Sequence, residues 1–331
     1  MKAIVHEHQQ GIAGLSYKEM DQPEIGADEC LVQVGVGGLN RRDVAVIENK
    51  HDPKSGPFIP GSDAAGTIAK AGKHVTKVQE GEEVIIYPGL GWDENSDAPP
   101  LGYEIVGFPE NGTFAEYIRI PAKNLVKKPA HLTSEEAGVL SFAALTAYRV
   151  LFTRAKIRKE DTILLPGIGS GVLTFALKFS KAIGARVIVT SRSEDKQKQA
   201  LELGADKAIN TYDDWSQELK DEQIDVVVES IGKQTFQKSI DAVRRGGTIV
   251  TFGATTEDTV ELDIRSFFYG QYNLLGSTMG SMEEWKEMLA FIEKHDIHPV
   301  IDKVFNAEEC EEAFSYLKSS RNLGKLGIRF N

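Results

Sequence analysis

One short stretch constrains this chain more than any other. Leu164-Leu-Pro-Gly167-Ile-Gly169-Ser-Gly171 follows an apolar run, Thr162–Leu165, that predicts a strand, and precedes a segment that predicts a helix through Ile183. Glycines in a strand-to-helix turn let backbone N–H groups approach an anion at the helix N-terminus, where the dipole favours negative charge. The spacing departs from G-x-G-x-x-G, because a fingerprint begun at Gly167 would end at Val172. A tight turn with no ligand is the competing reading, so the surroundings have to decide.

The surroundings alternate. Arg186–Thr190, Lys207–Ile209, Val226–Val228 and Thr248–Phe252 predict further strands, and a charged helix is expected over Glu194–Leu203. Strands alternating with helices predict an α/β, doubly wound parallel sheet. The region before it reads differently. Ala3–Val5, Glu29–Gly35, Ala65–Ala69 and Glu83–Tyr87 are short strand-like runs between turns, and Pro88–Gly112 reads as a long surface loop. Thr133-Ser-Glu-Glu136 fits a capping box opening a buried helix over Ala137–Leu151, in which Tyr148 is expected in the core. After the alternating region come a helix Met282–His295, a strand Val300–Lys303, a helix Ala307–Leu317 and a strand Leu326–Arg329. At 331 residues the chain exceeds what one hydrophobic core sustains, so two domains are expected.

The strand Arg186–Thr190 runs into Ser191-Arg192-Ser193, with Lys196 one turn on. An enzyme selecting NAD carries an acid near this point for the adenine ribose. Hydroxyls, a guanidinium and an ammonium would instead hold a 2′-phosphate, which predicts NADP(H). The competing reading is a solvated helix start whose charge Glu194 and Asp195 cancel. A formal net charge of -11 argues against nucleic acid and anionic membrane as partners. Cys30 and Cys310 are too few for a disulfide framework or, alone, for zinc. The opening MKAIVHEHQQ lacks an apolar signal core, and the longest apolar patch, Val172–Ile183, is interrupted by lysines, so a cytoplasmic protein is expected.

Several stretches in order resemble the medium-chain dehydrogenase/reductases, specifically their zinc-free, quinone-oxidoreductase-like branch. They are Gly38-Leu-Asn40-Arg-Arg-Asp43, Pro60-Gly-Ser-Asp-Ala-Ala-Gly66, Gly81-Glu-Glu-Val84, Gly112-Thr-Phe-Ala-Glu-Tyr117 and Leu145-Thr-Ala-Tyr148. The glycine turn, Gly246-Gly-Thr-Ile-Val250, Pro299-Val-Ile-Asp302 and Gly324-Lys325 follow. The resemblance covers essentially the whole chain. It implies a Rossmann domain, residues 123–274, inserted into a GroES-like β-barrel catalytic domain made of residues 1–122 and 275–331. Homodimers joined through Rossmann edge strands are common in such proteins, and one is expected here.

The resemblance also assigns residues. Asn40 is expected near the nicotinamide ribose or carboxamide, Thr146 on the nicotinamide side, and Asn322 approaching it from the tail. Gly169, Ser170, Gly171 and Val172 would cradle the pyrophosphate; Ser191, Arg192, Lys196 and Tyr212 would surround the 2′-phosphate; Phe252, Gly253, Ser277 and Met279 would line the cofactor cleft. The superfamily's zinc enzymes hold their metal through a Cys at the place of Asn40 and a Gly-His-Glu at the place of Gly61-Ser62-Asp63, so no metal is expected here. The seven histidines read as solvated surface residues. Without a Lewis acid, a quinone or α,β-unsaturated carbonyl is an easier hydride acceptor than a carbonyl lacking conjugation. Relatives carry an aromatic shortly after the Asn-x-x-Asp stretch, where Val44-Ala45-Val46 offers none. Arg42, Tyr87 and Trp92 are the candidates to line a substrate pocket, and no residue is assigned as catalytic acid. The alternatives to an NADPH-dependent quinone or enone reductase are an enoyl-thioester reductase and a non-catalytic NADPH-binding or sensing protein.

Overall fold

The computed structural model describes residues 1–330. Strands β1 Lys2–His6, β2 Leu15–Glu19 and β3 Glu29–Leu39 lead to helix α1 Arg41–Asn49. Strands β4 Asp63–Ala71, β5 Glu83–Ile86, β6 Gly89–Leu90, β7 Glu104–Ile105, β8 Tyr117–Pro121 and β9 Leu125–Lys127 follow. Helices α2 Ser134–Gly138 and α3 Ser141–Tyr148 come next. The alternating region then runs β10 Thr162–Leu165, α4 Gly171–Ala182, β11 Arg186–Ser191, α5 Glu194–Glu202, β12 Lys207–Asn210, α6 Trp215–Glu218, β13 Ile224–Glu229, α7 Lys233–Ala242, β14 Val243–Thr251, α8 Ile264–Gly270 and β15 Asn273–Gly276. Helix α9 Met282–Lys294, β16 Ile301–Asn306, α10 Cys310–Lys318 and β17 Lys325–Arg329 complete the order.

The chain divides into two compact units, one made of Met1–Leu145 with Gly280–Asn331, the other of Thr146–Met279. In the second unit six parallel strands lie in the order β12-β11-β10-β13-β14-β15. Their sequences are continuous apolar runs, because both faces are covered: Leu164, Ile188, Val227 and Ile249 are all fully buried. Strand order reverses between β10 and β13. Ligands of doubly wound sheets bind outside the carboxyl ends of the strands at that point.

The first unit carries a seven-stranded sheet in the order β16-β17-β3-β4-β5-β9, with β8 also on β3. Strand β3 organises it. One edge of β3 pairs with β4 over nearly its whole length. The other edge is shared: its first half, Glu29–Gln33, takes β8, and its second half, Val36–Leu39, takes β17. The register Leu326↔Leu39 brings the start of β17 to the end of β3. On the opposite edge Asp63 pairs with Gly38. A side chain at Gly38 would meet Asp63 Cβ and the backbone of Gly138 and Val139 within 2.9 Å, so only glycine permits this approach.

The compact units divide at 145/146 and 279/280: β9 extends the first unit's sheet on β5, and α2 packs on β3 and β4. One expectation needs correction. The segment Pro88–Gly112 is more than a surface loop. It carries the β6–β7 hairpin and buries Trp92 and Val106, apolar anchors among its turn residues. Among the described residues no helix is long and apolar enough to cross a membrane.

Candidate functional site

In the second unit the expected nucleotide residues gather at neighbouring strand ends. Gly167, after β10, has φ +73°, and a Cβ there would lie 2.5 Å from Ile231 in the loop after β13. The turn is braced from β11: Gly167 N donates to Thr190 Oγ1 at 3.0 Å and Ile168 N to Thr190 O at 2.8 Å. Thr190 Oγ1 in turn meets Thr211 Oγ1, beyond β12, at 2.9 Å. Neither threonine was singled out by the sequence; a hydroxyl inside an otherwise apolar strand was the available signal. Ser170 caps α4, its hydroxyl accepting from Leu173 N. The N–H groups of Gly171 and Val172 lie in the first turn, before the intrahelical ladder begins.

After β11, Ser191 is buried, its hydroxyl accepting from Ser193 N and its carbonyl from Gln197 Nε2 at 2.9 Å. Ser193 caps α5. Arg192 and Tyr212 are exposed, Tyr212 at 69%, and among the described residues Arg192 makes no ion pair. No carboxylate stands at 191–193; the acids Glu194 and Asp195 are in the first turn of α5. This arrangement fits a nicotinamide dinucleotide: a glycine turn, a helix N-terminus and an exposed guanidinium at adjacent strand ends. Phe252 and Gly253 follow β14, while Ser277 and the buried Met279 follow β15. Thr146, also buried, lies in α3.

The first unit holds the other expected residues, in a buried charge cluster. Because Leu326 pairs with Leu39, the preceding Lys325 faces Asn40. Its ammonium, 3% exposed, donates to Asn40 Oδ1, to Leu39 O at 3.2 Å and to Asp63 Oδ2 at 3.2 Å. The Asn40 amide donates to Asp63 Oδ2 at 2.9 Å and to Gly38 O at 3.1 Å. Asp63 Oδ1 accepts from Phe142 N, in the first turn of α3, at 2.6 Å. Asp43 Oδ2 accepts from Asn40 N at 2.7 Å. Burial pushes the Asp43 carboxyl up to about 6, with Asp63 adding to the rise and Arg42, the Asn40 N–H and Lys325 opposing it. Lys325 and Asp63 stood in the sequence only as parts of motifs.

Arg42 is half-buried. It donates to Val106 O at 3.0 Å and lies 5.9 Å from the centre of the Phe142 ring. Tyr87 is fully buried, and its hydroxyl lies 2.9 Å from Gly280 O and 3.1 Å from Trp92 O. The Trp92 indole N–H donates to Ser96 Oγ. Both aromatics therefore spend their polar atoms inside the first unit. Asn322 is buried and donates to Gly324 O at 2.8 Å. The histidines depart from expectation. His6 and His51 are buried, their Nδ1 atoms 2.8 Å apart, and burial lowers both pKa values; β1 and the chain after α1 converge on them. His298 meets Glu136 at 2.8 Å and stands edge-on to His131.

Zinc does not fit the residues at Asn40 and Ser62-Asp63. An amide, a hydroxyl and one carboxylate replace soft donors, and an ammonium already bridges the amide and the carboxylate. Among the described residues no group of three or more His, Cys, Asp or Glu could hold a metal ion.

A family model for zinc-binding dehydrogenases matches residues 171–294, and one for the alcohol dehydrogenase GroES-like domain matches residues 26–130. A zinc-type alcohol dehydrogenase-like protein of Schizosaccharomyces pombe is 31% identical, covering 100% of this chain and 99% of that protein. An acryloyl-coenzyme A reductase of Metallosphaera sedula is 28% identical, with 98% and 99% covered. The crystal structure of an NAD-dependent alcohol dehydrogenase matches with a TM-score of 0.94 at 33% identity, covering 100% of both chains. That of a 2-octenoyl-CoA carboxylase reductase in complex with NADP and 2-octenoyl-CoA matches at 0.89 with 26% identity, covering 99% of this chain and 87% of that one.

Proposed function

The chain belongs to the medium-chain dehydrogenase/reductase superfamily, and from that premise we propose that it is an NADPH-dependent, zinc-independent reductase of conjugated carbonyl compounds or quinones. The observation that carries the reading is the ammonium of Lys325 among Asn40, Asp63 and Leu39 O, where the zinc enzymes of the superfamily gather their metal ligands. A centre without a Lewis acid suits an acceptor whose own conjugation makes it electrophilic.

Bound at the glycine turn, NADPH would supply the hydride. The chain's residues do the rest. Gly169, Ser170, Gly171 and Val172 would hold the pyrophosphate at the N-terminus of α4; Ser191, Arg192 and Lys196 would hold the 2′-phosphate, with Tyr212 beside them. Thr146, Phe252, Gly253, Ser277 and Met279 are the second unit's further candidates for cofactor contacts, and Asn40 and Asn322 are those of the first unit. Arg42, Tyr87 and Trp92 would border the acceptor. Exposed Ile264, Phe268 and Tyr269 on α8, with Leu274 on the edge strand β15, support a homodimer through that edge.

The acyl-CoA reductases among the relatives favour a second reading, in which the acceptor is an enoyl thioester. Steady-state oxidation of NADPH and NADH by chelator-treated protein, against quinones, enals and enoyl thioesters, separates the readings. Chelator-resistant turnover of quinones or enals with NADPH preferred is expected. Turnover confined to enoyl thioesters would shift the assignment to the second reading. Tight NADPH binding with no turnover would leave a sensor, and loss of activity on chelation would overturn zinc independence.

A further inference from the structure

We propose that Lys325 is the resident cation of this site, a positioning residue that takes over the electrostatic task of a metal ion and fixes the orientation of Asn40; the inference rests on the zinc-independent reading above. All three ammonium N–H bonds are spent, on Leu39 O, Asn40 Oδ1 and Asp63 Oδ2. Lys325 therefore has no N–H left to offer a substrate.

Two consequences follow from the geometry. An Asn side chain can present either its oxygen or its nitrogen on a given side. Here the ammonium on one side and Asp63 Oδ2 on the other leave a single choice, with Oδ1 toward Lys325 and Nδ2 toward the carboxylate. Turning the amide over would set N–H against N–H. The second consequence concerns charge. Asp43 and Asp63 are both buried, and Arg42 and Lys325 are the cations beside them. Lys325 is the cation that touches both Asn40 and Asp63; without it the negative charge gathering on a hydride acceptor would lack that compensating ammonium, which raises the barrier, and neutralising Asp63 as well would not restore it. The β17 register brings Lys325 beside Asn40, and the turn at Gly324 leads the chain into it.

The test uses the full chain in two arms. In the first, Lys325→Met is compared with Asp63→Asn/Lys325→Met, in which the stranded carboxylate is removed and thermal stability is expected to recover. The expected result is kcat about 100-fold below the parent in both variants, with KM for NADPH within threefold. Recovery of kcat in the double variant would reduce Lys325 to a structural counter-ion, and a rise in KM for NADPH at unchanged kcat would make it a cofactor contact; either overturns the proposal. The second arm reads metal content and needs no turnover. Asn40→Cys/Ser62→His is expected to take up no zinc while Lys325 remains, and about one zinc per chain once Lys325→Ala is added. Full zinc uptake with Lys325 intact, or none without it, would overturn the proposal. Chelator-sensitive turnover of the parent would instead fault the zinc-independent reading.

Discussion

The two polar centres of this molecule are built on opposite plans. In the first unit Asn40, Asp63 and Lys325 are nearly inaccessible and spend their hydrogen-bonding capacity on one another and on nearby backbone. In the second unit the strand-end groups are left open: Arg192 and Tyr212 reach solvent, and the first N–H groups of α4 lie outside the helical ladder. A closed centre has its energy committed to the fold, and an open one holds its energy for a ligand. Substitutions in the first should therefore act on stability as well as on turnover, and substitutions in the second on affinity with little effect on stability.

The largest effect is expected at Lys325. Removing one partner of a buried pair leaves the other uncompensated, so Lys325→Met should lower unfolding free energy by about 3–5 kcal/mol in urea denaturation. A loss under about 1 kcal/mol would break the description of the centre as closed. Asp43 comes next. Its folded pKa lies above the unfolded value, so its contribution is full below about pH 4 and is lost as pH rises through 6. The loss should amount to about 2–3 kcal/mol between pH 4 and 7. His6 and His51, with lowered pKa values, act the other way, losing stability as pH falls below about 6.5. The difference between parent and Asp43→Asn across this range isolates the carboxyl, and an unchanged slope in the variant would refute the assignment.

The open centre gives smaller and differently directed effects. Arg192→Ala should weaken NADPH binding by about 2 kcal/mol, roughly thirtyfold in Kd, and leave NADH binding nearly unchanged. Its unfolding free energy should stay within about 0.5 kcal/mol of the parent. Equal losses for both nucleotides in calorimetric titration would remove the 2′-phosphate assignment. Tyr212→Ala should be the mildest, with NADPH affinity falling by less than about 1 kcal/mol. A larger loss would make the ring a principal contact and sharpen the site's outline.

Legibility in the sequence followed the range of the interactions. The parallel strands could be read because burial on both faces leaves unbroken apolar runs such as Val226–Val228. The glycine turn and the capping box at Thr133 are local devices, and Thr133 and Glu136 do bond reciprocally. Helix α1 is hard to read because it is short and opens on Arg-Arg-Asp, and its cap, Asp43 accepting from Asn40 N, spans a single turn. Strands β8, β9 and β15 were missed because each is short and defined by its neighbour. The role of Lys325 was the least visible, because it depends on a pairing register between segments far apart in sequence.

That separation also sets an order of events during synthesis. Asn40 and Lys325 are 285 positions apart, whereas the second unit is one uninterrupted stretch, Thr146–Met279, with a core of its own. Translation at about 5–20 residues per second leaves Asn40 and Asp63 waiting on the order of tens of seconds for their cation. During that interval the half-edge of β3 reserved for β17 is bare and Asp63 has no lysine beside it. The second unit can close in that interval, and arrival of β17 is the step that completes the sheet of the first.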